Sequence, residues 1–467
     1  MGTVSMIVIS TGIILVISFF LAHYLSTKTN PTGDWALGGR SLPIYVIVLS
    51  QYATAMGGGM LVAHVGLGYQ FGWSAITYGA LVSSTLLILS LISNWLRKEN
   101  FTTVPDIIEK IYGKNKVLLL LAALMTLIVP FGWICSQLVA FAKLYGQLTG
   151  IPMNTLIIGF GIVSLAFVLP AGLSTVAWSD FIFGCLMLSM SVVSVVFAYN
   201  MTGGMSEMVK IVPPQNIAFP KGLGAVGLPA IALWSLSILP GGLTNQLYYQ
   251  RIYAVDTTKN ARKSLIISAV IILTADIWAS FMGMCIRTLN PNLAQEAAMG
   301  WFLGQIPPWV LALFSGFLVA TIVSTVDSAV QSVVVNLTRD VYKKLIKPGE
   351  DDEKKMLNLS RILSVATVFV AIIIAIVYPQ VLSLLVATYA FSAAGLLCPI
   401  FVGYILKDKN ILTTQGAIGS ILCGFAGCAI GMMIKSQIPY VAFGIVGSFV
   451  GLILISLITK KTENISA

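Results

Sequence analysis

Charge is scarce in this chain: only 9% of its 467 residues are Asp, Glu, Lys or Arg, where a soluble globular protein carries about a quarter. Histidine is scarcer still, with His23 and His64 alone. No HExxH, P-loop or Cys/His cluster occurs, so the chain has no signature of a zinc hydrolase or a nucleotide-driven machine. The one formal GxGxxG, "GLGAVG" from Gly222, has no strand before it and an apolar run after it, which excludes the dinucleotide reading. The cysteines Cys135, Cys185, Cys285, Cys398, Cys423 and Cys428 all fall inside apolar runs and read as small core residues rather than a disulfide framework. Nothing here supports an enzyme.

What the chain does have is apolar surface: 57% of its residues are hydrophobic and the mean hydropathy is +0.92. Runs of about 20 apolar residues, each long enough to cross a bilayer as a helix, recur from end to end. Thirteen spans are expected, at 4–24, 43–66, 71–96, 117–147, 152–170, 178–200, 223–247, 263–286, 306–338, 359–377, 379–405, 412–433 and 438–459. The first lacks a basic leader and is too long for a signal core, so it counts as a span. With the amino terminus outside, only Lys143, Lys210, Lys221, Arg287 and Lys435 of the 27 basic residues fall on the outer face. The positive-inside rule therefore predicts the amino terminus out and the carboxyl terminus in. The net charge of +10 reads as topology and attraction to anionic lipid, with no nucleic-acid partner. "RKENFTTVPDIIEKIYGKNK" predicts a short interfacial helix starting near Pro105. Lys343 to Lys355, with "KPGEDDEKK", reads as a solvated cytoplasmic loop.

Polar residues inside these spans stand out. In "ATIVSTVDSAVQSVVVNLTRD", Thr321, Ser324, Thr325 and Ser328 recur at i, i+3, i+4 and i+7, one helix face. Ser332 continues the stripe, and Asp327 flanks it at about 60° from Ser324. A single hydroxyl of this kind ordinarily bonds back to its own helix or glues two helices. A hydroxyl stripe beside a carboxylate differs, because a buried charge costs several kcal/mol unless paired. No Lys or Arg lies in this span before Arg339, so a hard monovalent cation held by oxygens fits the stripe.

A second irregularity is Gly57-Gly58-Gly59 in mid-span, costing roughly 3 kcal/mol of helix propensity. The triplet predicts either an unwound break whose carbonyls face a cavity or close helix packing through small residues. Asp276 lies mid-span, and Asp180 near the start of its span, where an interfacial position is equally open. Trp133, Gln137, Asn245 and Gln246 suit an organic solute, though each alone is commonly helix glue or an interface anchor. His64, one turn past the glycines, reads as either a cavity or a packing residue.

Several stretches resemble the sodium:solute symporter family, which includes bacterial proline, pantothenate, sialic acid and galactose symporters. They are "DWALGGRSLP" from Asp34, "AGLSTVAWSD" as it ends at Asp180, "NQLYYQRIYAVDTTKNARK" from Asn245, and above all Ala320 to Tyr342. The resemblance, in order and at family spacing from about residue 34 to 405, implies an all-α polytopic membrane protein of about thirteen transmembrane helices. Its core would be LeuT-like, with two inverted five-helix repeats. The chain would then be one transporter domain, 1–467, with an extra helix at 4–24, repeats at 43–200 and 223–405, and two further helices over 412–459. By motif position, the principal sodium (Na+) site would use backbone carbonyls of Ala53, Met56 and Thr321 with the hydroxyls of Ser324 and Thr325. Some members bind a second sodium through an acid matching Asp180; here Thr325, Asp327 and Ser328 would join it, and whether they do stays open.

The resemblance implies substrate positions at Gly57, Gly58, Gly59 and Met60; sugar-type members carry polar and acidic residues where this chain has Gly59 and Met60. Trp133 matches one position of a choline-type aromatic cage, but Ala55 and Asn245 do not. Gln137, Asn245 and Gln246 complete the expected substrate set, and no basic residue is expected in the cavity. The resemblance implies a sodium-coupled importer of a small polar or zwitterionic solute, amino acid- or carboxylate-like. It would work by alternating access as a functional monomer in lipid of a bacterial-type cytoplasmic (inner) membrane. The rivals are a proton-coupled symporter running through Asp180, Asp276 or Asp327, a transporter-like sensor, for which no soluble signalling domain is seen, and an ion channel, for which no filter motif repeats.

Overall fold

The computed structural model describes residues 3–29, 36–169, 172–349, 352–409, 411–435 and 437–466, and among them forms no strand. Asp34 and Trp35, which open the first family-like stretch, lie outside the described residues. Each of the thirteen apolar runs is helical. The first is α1 (Thr3–Thr29) and the second is divided into α2 (Ile44–Ala55) and α3 (Met60–Phe71), bent by 55°. Then come α4 (Ser74–Lys98), α5 (Val104–Tyr112), α6 (Lys116–Thr149), α7 (Met153–Val168) and α8 (Leu173–Met201). The second half holds α9 (Leu228–Leu243), α10 (Gln246–Ala254), α11 (Thr258–Leu289), α12 (Pro308–Ile346), α13 (Lys354–Val377), α14 (Val381–Lys409), α15 (Thr414–Ile434) and α16 (Tyr440–Ser466).

The apolar pattern explains which helix is central. In α12, 89% of the most apolar window is buried, against no more than 61% in any other long apolar helix among the described residues. It packs against α1, α6, α8 and α13, so its hydroxyl stripe faces protein on every side. Around it α2 packs on α8, and α11 runs against α3 and α4. The small-residue pair α15 and α16 docks on α14, with glycines at the crossing: a Cβ on Gly424 would lie 2.0 Å from the Ala394 carbonyl oxygen.

Three local readings are corrected. The loop expected over Lys343 to Lys355 is shorter, because the helix begun in α12 runs on to Ile346 and the next starts by Lys354. Asp180 is not interfacial: α8 starts at Leu173, two turns earlier, and Asp180 is 0% exposed. The run after Asn245, left between the spans expected to end at 247 and to begin at 263, is the buried helix α10, whose polar and aromatic residues hide it from a hydropathy scan. The "GLGAVG" stretch forms a turn held to the start of α4, where Ser74 Oγ donates to the Gly222 carbonyl and accepts from Val226 N.

Helix α5 begins as the Thr-Val-Pro-Asp signature predicts, with Thr103 and Asp106 forming a reciprocal cap and Pro105 in the first turn. One ammonium, Lys344, then ties α5 to the end of α12, meeting Asp106, Glu109 at 2.8 Å and the buried Asp340 at 3.4 Å. Burial would push the Asp106 carboxyl up, but Lys344 and the backbone N–H groups of Thr102 and Thr103 hold it below its ordinary value. Its contribution to stability is complete above the unfolded pKa of about 3.9 and is lost as pH falls through the lower folded value. Lys344→Ala leaves three carboxylates without their shared cation and should cost about 1–3 kcal/mol. That is below the roughly 3–5 kcal/mol of a fully buried pair, since Lys344 keeps 26% of its side chain exposed. A clear fall in melting temperature in detergent at neutral pH is expected; an unchanged value would refute the clamp.

Candidate functional site

The break between α2 and α3 falls at the glycine triplet. Met56 has left helical geometry, at φ −77° and ψ 15°, and the chain regains it by Met60. Two neighbours hold the freed backbone. Gln137 of α6 accepts from Gly58 N at 2.5 Å, and Thr325 of α12 donates from Oγ1 to the Thr54 carbonyl at 3.1 Å. Both readings of the triplet apply, because the break is also tightly packed. A Cβ on Gly57 would lie 2.4 Å from Thr325 Oγ1, and one on Gly58 2.4 Å from Ala140 Cβ.

A second break lies at Thr244–Asn245, between α9 and α10. Asn245 caps α10, its side chain accepting from Leu247 N at 3.1 Å, while Thr244 Oγ1 meets Ser392 Oγ at 2.6 Å. Tyr249 of α10 reaches back and donates to the Leu243 carbonyl at 2.6 Å. The polar residues that interrupt this span thus restore the bonds that the interruption removes.

Beside the first break is a cavity of about 40 Å³, whose lining includes Gly57, Gly59, Met60, Trp133, Gln137 and Thr325. Its aromatic wall comprises Trp133, Tyr78, Tyr248 and Tyr389. At one end His64 Nδ1 and Asp276 Oδ1 are 2.6 Å apart, and both side chains line the cavity.

Asp180 is met by α2, α10 and α12 together. Ser324 Oγ donates to its Oδ1 at 2.5 Å; Ser50 and Ser328 donate to Oδ2 at 2.7 and 3.0 Å. Arg251 of α10 completes the group, its Nη2 lying 3.2 Å from Asp180 Oδ2, 2.7 Å from Ser328 Oγ and 2.8 Å from Thr54 Oγ1. Arg251 is 1% exposed, although its place in the sequence counts it with the cytoplasmic residues. A guanidinium suits this role because it stays charged and donates in several directions at once.

The structure therefore sorts the expected site residues. Thr321, Thr325, Ala53 and Met56 are all buried, and α2 packs on α12 with Thr325 bonded to the Thr54 carbonyl. Ser324, assigned by motif to the same sodium, donates its hydroxyl proton to Asp180, which leaves its oxygen lone pairs for a cation. Ser328 belongs to the Asp180 group, while Asp327 makes none of its contacts and buries Oδ1 without a hydrogen-bond partner. Of the expected substrate residues, Gly57, Gly59, Met60, Trp133 and Gln137 line the cavity; Gly58 sits behind them with its N–H capped by Gln137. Asn245 and Gln246 do not line it. Asn245 serves as a helix cap, and Gln246 Oε1 accepts from Val104 N at 2.8 Å, tying α10 to α5. Sequence reasoning missed Arg251 and the three tyrosines; the signal for Arg251 was its place amid the apolar and aromatic residues of "YYQRIYAV".

Known proteins share this arrangement. Residues 35–424 match the sodium:solute symporter family. The chain belongs to that family. A "Sodium/proline symporter" of Escherichia coli is 23% identical over 459 residues, covering 93% of this chain and 89% of that protein. A "High-affinity proline transporter" of Bacillus subtilis is 25% identical over 469 residues, covering 94% and 95%. A "Sodium/glucose cotransporter" of Vibrio parahaemolyticus is 24% identical over 401 residues, covering 79% and 73%. Among solved structures, an outward-open, substrate-bound Na+-coupled sialic acid symporter superposes with a TM-score of 0.83 at 15% identity, covering 97% of each chain. MhsT in complex with L-phenylalanine gives 0.55 at 13% identity, covering 89% of this chain and 98% of that one. The fold is the LeuT-like one, and this member of the sodium:solute symporter family is an integral inner-membrane transporter that uses Na+ to carry small organic solutes.

In this symporter the Arg251–Asp180 pair carries a structural test. Removing one partner of a buried pair strands the other and costs about 3–5 kcal/mol, whereas replacing both with shape-matched neutral groups costs far less. Asp180→Asn and Arg251→Met should each lower the melting temperature in detergent, and the double variant should recover part of the loss. Strictly additive losses would show that the two charges do not act on each other.

Proposed function

We propose that the driving sodium binds where α2 breaks against α12. It would be held by the backbone carbonyls of Ala53, Met56 and Thr321 and the hydroxyls of Ser324 and Thr325. The observation that carries this reading is the Thr325 hydroxyl bridging α12 to the Thr54 carbonyl at 3.1 Å, at a break with buried oxygens on both sides. A hard cation suits such neutral oxygens because it replaces water with carbonyl and hydroxyl dipoles. Filling the site ties α2 to α12, which lets sodium bias the equilibrium between outward- and inward-open forms. The solute occupies the adjacent cavity, against Gly57, Gly59, Met60, Trp133 and Gln137. A small polar or zwitterionic solute, amino acid-like, suits its mixture of aromatic faces and few polar groups.

The charge balance favours one sodium. Arg251 already meets Asp180, supplying the positive charge that a second ion on Asp180, Thr325, Asp327 and Ser328 would bring. One ion is energetically sufficient: a tenfold gradient gives about 1.4 kcal/mol and 100 mV adds about 2.3. Together they support roughly five-hundred-fold accumulation of a neutral solute. The two interrupted helices open the repeats proposed at 43–200 and 223–405, flanked by 4–24 and 412–459. The amino terminus is placed outside, and a single copy in lipid is the working unit.

Ser324→Ala with Thr325→Ala should abolish sodium-dependent uptake and the stabilisation of the purified protein by sodium, while the chain still folds in potassium. Unchanged sodium dependence of either readout would sink the assignment. In the wild type, a sodium Hill coefficient of one and one charge moved per neutral solute are expected. A coefficient near two that falls to one in Asp180→Asn would restore the second ion.

A further inference from the structure

The cavity beside the first break holds one carboxylate, Asp276, and no Lys or Arg among its lining residues. That carboxylate is 1% exposed, and only one of its oxygens is satisfied: Oδ1 meets His64 at 2.6 Å, while Oδ2 is buried without a hydrogen-bond partner. Helix α4 makes room for it, since a Cβ on Gly79 would lie 2.1 Å from Oδ2. The Tyr78 ring packs on His64 at 4.4 Å between centroids, and Trp234 on Tyr78 at 5.4 Å, so His64 is held in place by aromatic rings. Leaving a buried carboxylate oxygen without a donor is costly. With Asp276 ionised, a neutral His64 leaves the pair with a net negative charge beside the cavity, and a protonated one still leaves Oδ2 without a donor. A guest that brings both a positive charge and an N–H satisfies this end of the cavity, and the aromatic wall tolerates that charge.

We propose that the transported solute is an organic ammonium compound, bound through a cationic N–H to the Asp276 carboxylate, with His64 fixing that carboxylate. The proposal rests on the reading of the cavity as the solute site of a sodium symporter, and it narrows the solute to one bearing a primary or secondary ammonium. Sugars, simple carboxylates and quaternary amines that lack an N–H are excluded. Asp276 is then the residue that selects the solute, apart from the oxygens proposed for sodium.

Thermal-shift titrations of the purified full-length protein, with and without sodium, test it. The probes are the common amino acids, γ-aminobutyrate and putrescine, set against glycine betaine, lactate, succinate and glucose, with L-proline paired to its ring-oxygen analogue tetrahydrofuran-2-carboxylate. Sodium-dependent stabilisation by one or more ammonium probes is expected, with the nitrogen-free and quaternary probes at least tenfold weaker. Asp276→Asn should weaken the active probe at least tenfold and leave sodium's own stabilising effect intact. Stabilisation by a nitrogen-free or quaternary probe equal to the best ammonium, or by no ammonium probe at all, overturns the proposal without any variant. So does an Asp276→Asn protein that melts like the wild type yet binds the active probe unchanged, or one that loses only its response to sodium, which would make Asp276 an ion ligand. Loss of the sodium effect in the Ser324→Ala, Thr325→Ala protein bears on the sodium site alone, so the two readings fail separately.

Discussion

Backbone that leaves helical geometry inside a bilayer has no water to turn to, and must find its partners within the protein. In this symporter that constraint acts at Met56 to Gly59, and much of the central architecture answers it. Gln137 caps the Gly58 N–H, Thr325 takes up the Thr54 carbonyl, and the glycines allow α6 and α12 to come close enough to do so. The cavity lies where the chain unwinds, and two of the oxygens proposed for sodium, the Ala53 and Met56 carbonyls, belong to that break. A continuous α2–α3 would pack well and would offer neither.

The buried acids are handled in different ways. Asp180 is neutralised from within, by Arg251 and a cage of hydroxyls donated from α2 and α12. Because α10 supplies the arginine, that cage joins both interrupted segments to the central helix. Asp276, which lines the cavity, is only half satisfied: its Oδ2 is buried beside Gly79 of α4 without a hydrogen-bond partner. A group completed by the protein holds elements together, whereas one left incomplete beside a cavity is available to a guest. The same chemistry thus serves fixed structure at one site and, on our proposal, recognition at the other.

Much of this was readable in the chain. Apolar runs force helices in lipid, the glycine triplet marks the break, and the spacing of Thr321, Ser324, Thr325 and Ser328 puts them on one buried face. What could not be read is what depends on distant partners. Arg251 lies in a polar, aromatic run that resembles a loop by hydropathy; it is buried because Asp180, 71 positions earlier, gives it a counter-charge. Asn245 and Gln246 have the side chains of substrate ligands, yet their amide oxygens are taken up by the start of α10 and by Val104 N. His64 and Asp276 stand 212 positions apart in sequence, and the packing of α3 against α11 brings them together.

The central claim is that sodium, bound at the α2 break, drives solute uphill. Proteoliposomes carrying the purified protein, loaded with an active ammonium probe's radiolabelled form on the outside only, test it most directly. An inward sodium gradient at constant pH should produce transient accumulation above equilibrium, and a pH gradient of equal energy in sodium-free buffer should produce none. Accumulation driven equally well by the pH gradient without sodium would contradict the account.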